Sequence, residues 1–210
     1  PQPKSLRQYM NVLKDKDAWW FMFFYFVTFG GFVGLASSLT IYFNDQYGMA
    51  PVQAGYFTAA CVFAGSLVRP MGGMLADRVG GIRTLLAMYL LAGLFLVIVS
   101  FGTPSAGLAL AGFMLAMSCL GVGNGAVFQL VPQRFRKEIG VMTGLVGMAG
   151  GVGGFYLAAS LGYLKGQTGD YQQGLLIFAG LCFVALVGLS KVKTRWRTTW
   201  GAVAISGARV

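Results

Sequence analysis

The sequence predicts an all-α integral membrane protein with six transmembrane helices, and three observations carry that reading. Of 210 residues, 56% are hydrophobic and only 10% charged, where a soluble domain averages about 25% charged. Six stretches each supply the roughly 20 largely apolar residues that a helix needs to cross a bilayer core. The basic residues fall almost wholly in alternate connections between those stretches, as they do when one side of a membrane retains them.

The spans are expected at 19–43, 51–76, 84–103, 106–130, 139–164 and 171–190. Their lengths run long, long, short and again long, long, short, the pattern of two three-helix repeats of inverted topology. Residues 1–18 read as a cytoplasmic linker and 191–210 as a cytoplasmic tail. Lys4, Arg7, Lys14 and Lys16 precede the first span, Arg78 and Arg83 follow the second, and Arg134, Arg136 and Lys137 follow the fourth. Lys191, Lys193, Arg195, Arg197 and Arg209 follow the sixth, so fourteen of the 16 bases share one side. Lys165 stands alone on the other, in a 165–170 loop with Asp170. Both termini are therefore expected to be cytoplasmic, and the net charge of +10 marks topology rather than a nucleic-acid surface.

Smaller signals agree with this class. Trp19, Trp20, Trp196 and Trp200 flank the first and last spans as interfacial anchors. Cys61, Cys119 and Cys182 lie in apolar runs without ligand spacing and read as small buried hydrophobes, so no metal, disulfide or cofactor is expected. With no histidine and all six carboxylates (Asp15, Asp17, Asp45, Asp77, Glu138 and Asp170) outside the spans, acid-base or nucleophilic catalysis has no support. No short apolar stretch with a cleavage site precedes the first span. The chain opens on Pro1 and reads as part of something longer.

One base has no loop to occupy. Arg69 lies eight residues before Asp77 in the second span, roughly 12 Å from its basic end at 1.5 Å per residue. Placing arginine at a helix centre costs about 2.5–3.5 kcal/mol, so it should face a partner or a watery cavity; snorkelling to the headgroups is the alternative. A guanidinium is permanently charged and planar, and it can give two parallel hydrogen bonds to a flat oxyanion. With no acid in any span, a transported anion is its natural counter-charge.

The fifth span reads GLVGMAGGVGGF, with Gly144, Gly147, Gly150, Gly151, Gly153 and Gly154 offering small faces for close helix approach. The fourth ends GVGNGAVFQ, where Asn124 and Gln129 are candidates to face a narrow path, packing being the equal alternative. Tyr25 and Phe29 share one face of the first span at i and i+4, a spacing more often found in packing than in binding.

The stretch GGMLADRVGG, from Gly72 to Gly81, resembles the short loop after the second helix of each half of a major facilitator superfamily transporter. Asp77 there can sit at a helix N-terminus and pair with Arg78 or a neighbouring loop, so Gly73, Asp77 and Arg78 are expected to form a conformational-switch loop. With SLVRPMGG at 66–73, GNGAVFQLVPQRFRK at 123–137 and the glycine-rich fifth span, residues 10–195 resemble the C-terminal half of bacterial nitrate/nitrite porters. That resemblance implies six helices forming one half, a 3+3 repeat, of the superfamily fold, in the bacterial inner membrane. It implies that Arg69 grips nitrate or nitrite, that Tyr25 and Phe29 hold the flat anion, and that Gly144 and Gly147 let the fifth helix approach it, with Asn124 beside the path. The partners implied are the lipid bilayer and an N-terminal six-helix half carrying a second arginine. The alternatives are a porter of another small anion in the same superfamily, or a truncated membrane protein that transports nothing.

Overall fold

The computed structural model describes residues 6–203 as helices and short connections, with no strand among them. Lys4, Arg209 and the tail beyond 203 lie outside the described residues, as does the side chain of Arg7. A short helix α1 (Leu6–Leu13) leads into α2 (Lys16–Tyr25), which continues through a π-helical turn (Phe26–Gly30) into α3 (Gly31–Tyr47) as one span. The second span is α4 (Pro51–Leu67) and α5 (Arg69–Val79), joined at Val68. Then come α6 (Gly81–Ser100), α7 (Ala106–Arg134), α8 (Ile139–Thr168), α9 (Gln172–Thr198) and a 3₁₀ turn at Trp200–Val203. Six helices are thus long and apolar enough to cross a membrane.

The break in the second span follows from Pro70, which has no N–H to continue the ladder and disfavours helical geometry in the residue before it. Small residues decide how the helices meet. Gly121 and Gly125, one turn apart on α7, abut the Gly65 carbonyl of α4 and the Arg69 carbonyl of α5, so α7 touches both pieces of the broken span. On the other flank, a Cβ added to Gly30 would lie 2.8 Å from Gly153, and one added to Gly153 would lie 2.7 Å from the Phe26 carbonyl. The π turn and α8 therefore pack backbone to backbone.

The first span is tied at both ends. At its basic end Asp17, 6% exposed, accepts from Arg134 Nε at 3.0 Å, from Trp196 Nε1 at 2.8 Å and from Arg195. Asp15 caps α2 through the Asp17 N–H and pairs with Arg134 as well. At the far end Asp45 pairs with Lys165 and accepts from Tyr171 at 2.7 Å, and burial pushes the Tyr171 phenol above its ordinary value. Cys61, Cys119 and Cys182 are free and buried.

Several expectations change. Lys165 lies on the last turn of α8 and pairs with Asp45 rather than sitting in a loop with Asp170. The sixth helix does not stop at 190: Val192 and Trp196 are buried, so α9 carries its charged end to Thr198. That span is 27 residues long against 20 for α6, so lengths alone do not mark the repeat. Trp196 is wholly buried, stacked on Phe21 at 4.7 Å, and is no interfacial anchor; Trp20 packs on Gly188, while Trp19 is exposed. Residues 72–79 are helix, and only Gly80, at φ 107°, turns the chain, which glycine does at little cost.

Replacing Asp17 with asparagine should lower the thermal midpoint in detergent by several degrees, a loss of about 2 kcal/mol. That is less than for a fully enclosed pair, because Arg134 and Arg195 are partly solvated. An unchanged midpoint would show that the cluster contributes nothing to stability.

Candidate functional site

Arg69 emerges at the first turn of α5, where the proline break presents it to the first span. Its guanidinium carbon stands 5.2 Å from the centre of the Phe29 ring and 4.5 Å from that of Phe32. Arg69 makes no hydrogen bond or ion pair with the described residues, and its Nε is shut off from solvent without a partner. Two aromatic faces supply what favourable electrostatics the cation has, worth about 0.5–2 kcal/mol each for a half-buried group.

The aromatic side is built on the π turn, which inserts an extra residue per turn and re-aims the side chains around it. Tyr25 and Phe29 stack in parallel at 5.1 Å and 5°, and Phe128 of α7 meets Tyr25 edge-on at 4.9 Å. Gly150 of α8 closes the cluster: a Cβ there would lie 2.6 Å from the Tyr25 ring and 2.8 Å from the Phe29 ring. Asn124, one turn before Phe128 on α7, is 3% exposed, and neither end of its amide finds a partner. A buried amide left open costs about 1–3 kcal/mol per unsatisfied group, so Asn124 is a polar group still in want of a partner.

Arg69, Tyr25 and Phe29 thus lie together in the structure. Gly144 and Gly147 are not against the aromatic pair. Both stand on the open face of α8 with nothing within 4 Å of an added Cβ, and Gly150 takes the contact position. Gly73 packs within α5 near Gly125, and Asp77, in the last turn of α5 rather than at a helix N-terminus, accepts from Gln129 Nε2 at 2.9 Å. Arg78 occupies the same last turn. Phe32, Phe128 and the role of Gly150 were not singled out by the sequence, although Phe32 lies three residues after Phe29, a helical-neighbour spacing that would have found it.

A family profile described as Major Facilitator Superfamily matches residues 1–158. The chain belongs to the Major Facilitator Superfamily. It is a multi-pass membrane protein of that superfamily. It is 36% identical over 182 residues to the nitrite extrusion protein of Bacillus subtilis, covering 86% of this chain and 45% of the relative. A probable nitrate/nitrite transporter of Mycobacterium tuberculosis is 35% identical over 169 residues, covering 80% of this chain and 43% of the relative. The chain spans about half the length of the curated relatives it matches. The Escherichia coli fucose:proton symporter superposes with a TM-score of 0.76 at 18% identity, over 90% of this chain and 46% of that one, a likeness of fold.

The two glycine environments make a paired test. Gly150→Ala should displace the Tyr25 and Phe29 rings and destabilise the superfamily bundle by about 1–3 kcal/mol, whereas Gly147→Ala, facing open space, should stay within about 0.5 kcal/mol of the parent. Equal thermal midpoints for the two variants would mean that α8 does not press on the aromatic pair.

Proposed function

We propose that the chain is the C-terminal half of a nitrate/nitrite transporter, working by alternating access with an N-terminal six-helix half in the bacterial inner membrane, both termini cytoplasmic. The observation that carries this reading is the unpaired Arg69 guanidinium, held between Phe29 and Phe32 inside a bundle whose described carboxylates are all elsewhere. Such a group binds a small anion by charge. It prefers a planar oxyanion because its two parallel donors match two oxygens in one plane.

The aromatic stack supports the same substrate class. A flat, weakly hydrated anion loses less by leaving water than a strongly hydrated one, and the positive edges of Tyr25, Phe29 and Phe128 offer it contact without a rigid hydrogen-bond requirement. Asn124 can give its amide N–H to the anion or to a water that accompanies it. The open face of α8, carrying Gly144 and Gly147, is where the second half would approach, completing the cavity with its own arginine. In that arrangement Asp77, held by Gln129, and the Gly73 and Arg78 positions of the same helix would favour one access state over the other.

The names of the relatives favour nitrate and nitrite over other anions. The decisive experiment is transport by the complete two-half protein in proteoliposomes. Arg69→Lys should cut nitrate uptake at least roughly tenfold, since an ammonium cannot reproduce the planar fork. Nitrite should compete with nitrate, and organic carboxylates should not. Near-normal uptake by the lysine variant would sink the assignment of Arg69, and competition by carboxylates would favour the wider class of anion porters.

A further inference from the structure

At the basic end of the bundle, the connection between α7 and α8 and the turn at Trp200 border an open groove of about 440 Å³, lined by Gln133, Arg134, Arg136, Lys137, Glu138 and Trp200. Its volume far exceeds the roughly 30 Å³ of a single water, leaving room for more than a bare ion. The basic side chains on its wall divide into two kinds. Arg134 is committed to Asp15 and Asp17. Arg136 and Lys137 are exposed and make no ion pair among the described residues.

The residues of that wall also hold polar atoms with nothing to bind. Trp200 Nε1, a donor, and Gln133 Oε1, an acceptor, are both shut off from solvent without a partner, while Gln133 Nε2 is held by the Gln129 carbonyl at 3.2 Å. Orphaned polar atoms just behind the wall of a roomy groove call for a partner, which a bound polar group can supply when the Gln133 and Trp200 side chains turn toward it. With Arg134 neutralised by its acids, Arg136 and Lys137 against Glu138 leave one net positive charge, which suits a monoanion. The donors are the two bases and the indole N–H, as a phosphate needs. The acceptors are Gln133 Oε1 and the Glu138 carboxylate, as hydroxyl groups need.

We propose that this groove binds the headgroup of an anionic phospholipid of phosphatidylglycerol type, a phosphate monoanion carrying a polyol. The location fits: α7 ends at Arg134 and α8 begins at Ile139, so the groove lies where two spans reach the headgroup level, and half-buried Trp200 stands beside it at that level. A zwitterionic headgroup leaves the net positive charge uncompensated and is disfavoured. The site is independent of Arg69 and of the transported anion.

The test is native mass spectrometry and thermal melting of the full chain in neutral detergent, with phosphatidylglycerol, phosphatidylcholine or inorganic phosphate added in turn. Phosphatidylglycerol should be retained and should raise the melting midpoint, and phosphatidylcholine should do neither. The double variant Arg136→Gln, Lys137→Gln should weaken phosphatidylglycerol binding by roughly thirty-fold, from about a factor of five per basic residue at a charged interface. Trp200→Phe keeps a ring against Trp196 and Phe21 while removing the N–H, and should weaken retention several-fold even if the double variant fails to fold. Protection by inorganic phosphate with none from the lipid would overturn the lipid source. Equal retention of the two lipids, or unchanged binding in both variants, would overturn the site.

Discussion

A permanent positive charge inside a span, with no carboxylate to meet it, constrains everything packed around Arg69. An isolated ion in an apolar interior is costly, and arginine cannot escape by losing its proton. The fold offers it Phe29 and Phe32 instead, which stabilise a cation through their faces yet compete weakly with an anion for its donors. A buried carboxylate would have satisfied the guanidinium and closed it to any guest.

The acids of the first two spans are all occupied away from Arg69. Asp15 and Asp17 are drawn to Arg134, Arg195 and Trp196 at one end of the first span, and Asp45 to Lys165 and Tyr171 at the other. Asp77 is engaged by Gln129. The same pairs that fasten the ends of the first span thus keep its acids away from Arg69 on the second. Pairing at the ends is less costly than pairing at the centre, because solvent shares the solvation of the partly exposed arginines.

The spans were legible in the sequence because hydropathy and helix length respond to the same physical requirement, and Arg69 was legible because it violated that requirement alone. Its neighbours were harder to read. The π turn adds one residue to a helical turn, a change too small for an apolar run to register, yet it sets where Tyr25 and Phe29 point. Six glycines on α8 looked alike in sequence, and only the packed structure separates Gly150, pressed on two rings, from Gly144 and Gly147, which touch nothing. The Asp17 pairs with Arg134 and Arg195 join residues 117 and 178 positions apart, a separation at which no local pattern speaks. Trp196 misled for the same reason: its apolar flank and neighbouring charges resemble an interfacial anchor, while its partner Asp17 lies at the opposite end of the chain.

The two departures from regular α-helix share a depth. The π turn begins ten residues into the first span and Val68 lies eleven residues before the end of the second, so each is roughly 15 Å from the basic end of its helix at 1.5 Å per residue. Both lie well inside their membrane-crossing helices, where irregular backbone persists only if protein or a polar cavity covers it. α8 covers the π turn through Gly153, and α7 covers the Arg69 carbonyl through Gly125. The glycines therefore serve the site in a way that small-residue packing alone does not require. They bring intact helices close enough to shield the two irregular segments, and those segments place a cation and an aromatic stack at the same level of the bundle.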